Sequence, residues 1–105
     1  MANKNRDKGN RFERAICNEM KSIGFIKCVT SRSESKRRDD EKVDLMFTEP
    51  FNIQCKAYDS NQPNFRAVLQ EMPKEENYNV VFHKVSRKKD IVVMWKEDFY
   101  KLIQK

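Results

Sequence analysis

Two short stretches, "KVDL" at 42–45 and "IQCKA" at 53–57, set an acid, an amide and a lysine into otherwise apolar runs. Asp44 stands between Val43 and Leu45, a poor place for an aspartate in a solvated strand. Gln54 and Lys56 alternate with Ile53, Cys55 and Ala57, so they share one face. Oxygen donors beside an ammonium group suit a hard divalent cation and a phosphate. Mg²⁺ takes one or two carboxylates and fills its other positions with water and phosphate oxygens. Hydrolysis of a phosphodiester needs an activated water, neutralisation of charge at phosphorus and help for the leaving oxygen. Asp44 and Gln54, on neighbouring strands of a hairpin, can meet at adjacent positions, and the Cys55 carbonyl can add a backbone oxygen. Lys56 is placed to orient the water or stabilise the transition state. Glu13, on a helix, can complete a metal shell directly or through water.

The elements that must position these residues are legible as periodicities. A helix is expected over 10–22, ended by Gly24, with Phe12, Ala15, Ile16, Met20 and Ile23 forming its apolar stripe and Glu13 bordering the buried side. Residues 1–8 read as a mobile basic arm. Strands are expected at 25–31, 43–47 and 51–57, the last two joined by a turn at "TEP", with a charged loop over 32–42. A helix after Pro63 ends before Pro73. Two more strands, "NYNVVFHKV" and "DIVVMW", flank the basic turn "SRKK". A last helix, "KEDFYKLIQK", turns Phe99, Leu102 and Ile103 inward. Phe82, Trp95 and Phe99 read as core, and His83, the sole histidine, as structural. The order α-β-β-β-α-β-β-α implies one α/β domain over 1–105, a mixed β-sheet flanked by helices.

Charge narrows the partner. Residues 1–38 hold 11 Lys and Arg against 4 Asp and Glu, while the remainder holds 11 against 12. A basic first third on a near-neutral body points to a polyanion, nucleic acid foremost. Lys4, Arg6, Lys8, Arg11, Arg14, Arg32, Ser33, Lys36, Arg37, Arg38, Arg87, Lys88 and Lys89 are the expected nucleic-acid contacts. Three cysteines without C-x-x-C spacing argue against a zinc site or a disulfide framework, and for a reducing cytoplasm. No apolar run approaches the roughly 20 residues that span a membrane, and the first residues lack a signal-peptide pattern. No exposed apolar stripe for a protein partner is expected.

In "KGNRFER" (8–14), "KVDL" (42–45) and "IQCKA" (53–57), in that order, the chain resembles the PD-(D/E)xK nuclease superfamily. Within it the chain is most similar to the small Holliday junction resolvases of archaeal and phage type. The resemblance covers residues 8–57 and implies a restriction-endonuclease-like core. It makes Glu13 and Asp44 metal-binding acids and Lys56 the catalytic lysine, with Mg²⁺ or Mn²⁺ as cofactor. It implies DNA, a four-way junction or other branched form, as substrate and a homodimer as the working unit. Gln54 departs from the acid usual at its position, as in the similar Mrr-like restriction nucleases. An amide brings a carbonyl oxygen but no charge, so lower metal affinity is expected. Ser31 and Ser33 stand where resolvases often carry a serine. Alternatives are a superfamily nuclease acting on flaps, ends or duplex, and an inactive nucleic-acid-binding module. The length leaves no room for a separate sequence-reading domain, which favours recognition of DNA shape.

Overall fold

The computed structural model of the chain describes residues 4–58 and 63–105, with side chains from residue 7 onward. Helix α1 spans Lys4–Ser22. It starts earlier than its apolar stripe requires, so the part of the expected basic arm from Lys4 onward is helical; residues 1–3 lie outside the described residues. Phe12, Ile16, Cys17 and Met20 are its buried face. Each large apolar side chain contributes roughly 1.5–3 kcal/mol on burial. Ala15 and Ile23, expected in the stripe, are exposed. The helix ends where Gly24 takes φ 126°, with Gly24 N–H bonded to Lys21 O and Phe25 N–H to Met20 O. That paired closure needs a left-handed residue, which glycine supplies at least cost.

The strand expected over 25–31 is reduced to β1, Val29–Thr30, and the expected charged loop folds instead into α2, Ser31–Glu34, and α3, Lys36–Asp40. The cause is hydrogen bonding, much of it to residues distant in sequence. Ser31 N–H reaches Asp44 O, Ser31 Oγ donates to Val43 O, and Ser35 Oγ caps α3 by accepting Arg38 N–H at 3.3 Å. Short polar side chains win over strand propensity here because they satisfy backbone groups that a loop would leave bare. Next comes β2, only Leu45–Met46, followed by a turn in which Thr48 Oγ1 donates to Phe51 O at 2.7 Å.

Strand β3, Phe51–Tyr58, then α4, Phe65–Glu71, β4, Tyr78–Val85, β5, Ile91–Met94, and α5, Lys96–Ile103, complete the described chain. The sheet runs β1-β2-β3-β4-β5, antiparallel except for the parallel β3–β4 pair. Helix α4, capped by Asn64, makes the crossover that a parallel pair requires. α1 packs on the sheet face carrying Leu45, Ile53, Cys55 and Val80. α4 contributes Leu69 to the other face, where Met72 joins it against Val81. The chain is therefore an α/β fold with a five-stranded mixed sheet flanked by helices.

The last helix departs from expectation. Leu102 is half-buried, but Phe99 and Ile103 are 47% and 60% exposed, and Tyr100 beside them is exposed too. α5 follows the edge strand, so its apolar side has no further layer to meet, and the expected absence of an exposed apolar stripe fails at this point. Phe82 and Trp95 are half-buried, while His83 is buried. Among the described residues no helix is long and apolar enough to cross a membrane.

Candidate active site

As the central strand, β3 is covered on both faces, which decides how its polar residues must be read. Asn52 and Gln54 are 1% and 6% exposed, so neither belongs to a solvated face. Asn52 is consumed structurally. Its amide donates to Glu75 Oε1 and Asn79 Oδ1, each at 3.0 Å, and its oxygen accepts from Arg38 Nη2 at 3.0 Å. Gln54 has no such use, because its Oε1 is buried and takes no hydrogen bond. A buried acceptor left bare costs about 1–3 kcal/mol, so it calls for a partner.

Asp44 stands where β2 leaves β3. Its N–H donates to Ile53 O at 2.7 Å, and its carbonyl accepts Ser31 N–H at 2.8 Å. Its side chain turns onto β3, where Oδ2 accepts the Cys55 N–H at 2.7 Å in place of the ladder bond that a longer β2 would make. In an extended strand, a residue's N–H and C=O point to the same edge. The Cys55 carbonyl therefore faces the Asp44 side too, while its thiol packs in the α1-side core.

Glu13 approaches from α1. Its Oε2 is buried, 3.4 Å from Arg32 Nη2, and takes no hydrogen bond. Arg32 also donates to Asn10 Oδ1, which draws the guanidinium along α1. Burial pushes the Glu13 carboxyl up to about 7, and the Asp44 charge adds to the rise against the pull of Arg32. Burial likewise raises Asp44 to about 6, opposed by the Cys55 N–H bond and by the Lys56 ammonium. The Asp44 charge bears on Glu13. Asp39, within the charged stretch expected as a loop, raises both carboxyls through space. α3 carries it there, and the missed helix is why its place was not foreseen.

Glu13 and Asp44 are electrostatically coupled and Lys56 is close enough to act on Asp44, whereas Gln54, next to Cys55 on β3, turns its side chain to the sheet face opposite the Cys55 thiol and α1. Two carboxylates, an amide oxygen and a backbone carbonyl form a hard-donor set. Gln54 Oε1 and Glu13 Oε2 are buried oxygens that take no hydrogen bond, and Glu13 Oε2 is ion-paired with Arg32. No described group of three His, Cys, Asp or Glu side chains accompanies them.

The expected nucleic-acid contacts divide. Arg11, Arg14, Ser33, Lys36, Arg37, Arg87, Lys88 and Lys89 are exposed, and Lys8 is half-buried. Arg32 is engaged by Glu13 and Asn10. Arg38 is held by Asn52 and by Glu75, 2.9 Å from its Nη2. The side chains of Lys4 and Arg6 lie outside the described residues. Ser31 is fully buried on Val43, and Ser33 donates to Thr30 O at 2.9 Å. No family model, curated protein or solved structure matches the chain.

Proposed function

We propose that this chain is a metal-dependent endodeoxyribonuclease with a restriction-endonuclease-like core, cutting branched DNA as a Holliday junction resolvase does. What supports the reading is the Asp44 carboxylate anchored to the Cys55 N–H and electrostatically coupled to Glu13 and Lys56, beside a buried Gln54 oxygen that takes no hydrogen bond. Glu13, Asp44, the Gln54 amide oxygen and the Cys55 carbonyl would hold Mg²⁺ or Mn²⁺. When bound, such a cation neutralises phosphate charge and lowers the pKa of water.

The protein's own groups do the rest. Asp44 is fixed by three backbone bonds, so its free oxygen cannot drift from the strand fork. Lys56, on the Gln54 face, brings a positive charge to the phosphate and orients the attacking water. Arg32 offsets the charge of Glu13. The exposed cations of α1, α3 and the β4–β5 turn supply phosphate contacts. Paired cuts across a four-way junction need two such sites, hence a homodimer, and the free thiols Cys17, Cys28 and Cys55 suit a reducing cytoplasm.

The test is cleavage of a synthetic four-way junction, matched duplex and single strand in Mg²⁺ or Mn²⁺. Paired symmetric nicks on the junction, lost in Asp44→Asn and Lys56→Ala, establish the activity and its site. Neutral Gln54 favours one competing reading, a DNA-binding module without cleavage. Tight junction binding with no cutting in either metal selects it. A strictly monomeric protein on the junction removes the resolvase.

A further inference from the structure

Beside its buried stripe, α1 carries Arg14, Asn18 and Lys21 at the i, i+4, i+7 spacing that aligns side chains along one helix face. Facing them is the junction of β1 with α2. There Thr30 Oγ1 donates to Ser33 Oγ at 3.0 Å, and Ser33 Oγ donates to Thr30 O at 2.9 Å. Between the two walls lies a cavity of about 240 Å³, lined also by the buried Cys17.

The lining is one-sided in charge. Two cations, two hydroxyls and an amide line the cavity, and no carboxylate does. The groove on the other flank of α1 carries Glu19 and Asp90, and the cavity beside α5 carries Glu75, Glu76 and Asp98. Among the described residues, neither Arg14 nor Lys21 has a hydrogen bond or ion pair. Unpaired cations opposite hydroxyl groups suit an anion, and phosphate oxygens accept from guanidinium, ammonium, hydroxyl and amide alike. Arg14 and Lys21 lie about 10.5 Å apart along the helix axis, so both long side chains can fold toward Asn18 and meet on one phosphate. The hydroxyls are bonded only to neutral acceptors, which a charged one outcompetes.

Both walls lead to the candidate site. Arg14 follows Glu13, and its charge acts on that carboxyl. Ser33 follows Arg32, whose guanidinium lies 3.4 Å from Glu13 Oε2. An anion in the cavity is therefore a neighbour of the Glu13–Arg32 pair, at the edge of the site.

We propose that the cavity holds a backbone phosphate of the bound DNA, next to the one that is cut, between Arg14, Lys21 and Ser33. This rests on the nuclease reading and gives it a contact that fixes the strand's position. Such a contact sets register and carries no sequence information, in keeping with recognition of DNA shape.

Binding of a labelled four-way junction without divalent metal, between about 50 and 200 mM salt, tests it in variants that melting curves show to be folded. Lys21→Ala should weaken binding. The double variant Arg14→Ala, Lys21→Ala should weaken it further, yet lower the salt slope by only about 0.9, the value of one phosphate. Ser33→Ala removes no charge, so binding should fall about fivefold, one hydrogen bond, at an unchanged slope. A slope lowered by about 1.8 in the double variant means two separate phosphates and overturns the shared cavity. Wild-type affinity in Ser33→Ala overturns it too, leaving only diffuse surface charge. Unchanged junction affinity in every variant, with inorganic phosphate raising the melting temperature of wild type and not of the double variant, assigns the cavity to a free anion and overturns the DNA contact. Variants that behave as expected beside a wild type that cuts nothing in Mg²⁺ leave the cavity standing and remove the nuclease. Junction cleavage by wild type, with normal binding by the variants, does the reverse.

Discussion

The Asp44 carboxylate takes the Cys55 backbone N–H at 2.7 Å, so one side chain both caps the strand fork and supplies an acid to the candidate site. The two roles respond differently to substitution. Asp44→Asn removes the charge and keeps an oxygen for Cys55, whereas Asp44→Ala leaves a buried N–H unpaired. The alanine variant should be less stable than the asparagine variant by about 1–3 kcal/mol in urea unfolding. Both should lose metal-dependent activity. Equal stability of the two would show that the capping bond contributes nothing.

Glu13 and Asp44 titrate upward, to about 7 and about 6, mainly through burial. A carboxyl whose folded pKa exceeds its unfolded value favours folding at low pH, and that contribution is lost as pH climbs through the folded pKa. Metal-free protein therefore loses this contribution between about pH 4 and pH 7. His83, lowered by burial, acts in the opposite sense around its usual pKa, so the informative comparison is with Glu13→Gln. That variant should gain stability over wild type as pH rises from 5.5 to 8. Mn²⁺ competes with these protons, so its thermal stabilisation of wild type should be larger at pH 8 than at pH 5.5. A shift independent of pH would place the metal elsewhere.

The sheet and its flanking helices were readable because their signals are periodic: alternation in Phe51–Tyr58, a helical stripe through Phe12, Ile16 and Met20, and Pro63 and Pro73 bracketing α4. The site was readable in part for the same reason, since Asp44 and Gln54 break those patterns. What escaped depends on hydrogen bonds between distant residues. Neither α2 nor α3 has an apolar stripe, and α3 is held by Arg38 on Asn52 and Glu75, partners 14 and 37 residues away. Asp39 rides on that helix, so its approach to Glu13 had no local signal. α5 misled in the other direction, because its amphipathic pattern is real but nothing described covers Phe99 and Ile103.

Arg38 shares its guanidinium between Asn52 Oδ1 and Glu75 Oε1, and Glu75 is held below its ordinary pKa mainly by that bond. Arg37, next in sequence, points to solvent, with its nearest acid at 3.8 Å. Arg38→Ala should cost about 2–3 kcal/mol because a buried amide and a carboxylate lose their shared donor, while Arg37→Ala should stay within about 0.5 kcal/mol. DNA binding separates the pair in the reverse order. Arg38→Ala should leave the salt slope unchanged, and Arg37→Ala should reduce it by about one if that side chain meets a phosphate. A reduced slope in Arg38→Ala would assign it to DNA after all.

Gln54 is a buried, uncharged amide next to Cys55, whose N–H the Asp44 carboxylate holds. Gln54→Glu adds a buried acid one residue from the Asp44–Cys55 bond. Without metal, the new charge should destabilise the protein at pH 8 by about 1–3 kcal/mol, since it is buried without a partner and repels its neighbours. With Mg²⁺ or Mn²⁺, the same charge is a ligand, and affinity should rise about tenfold because hard-cation sites tighten with ligand charge. The variant should thus be weaker than wild type alone and gain more from metal. Calorimetric metal titration beside thermal melts checks both halves. A destabilised variant with unchanged metal affinity would mean that the Gln54 oxygen faces the fold's interior and not the cation.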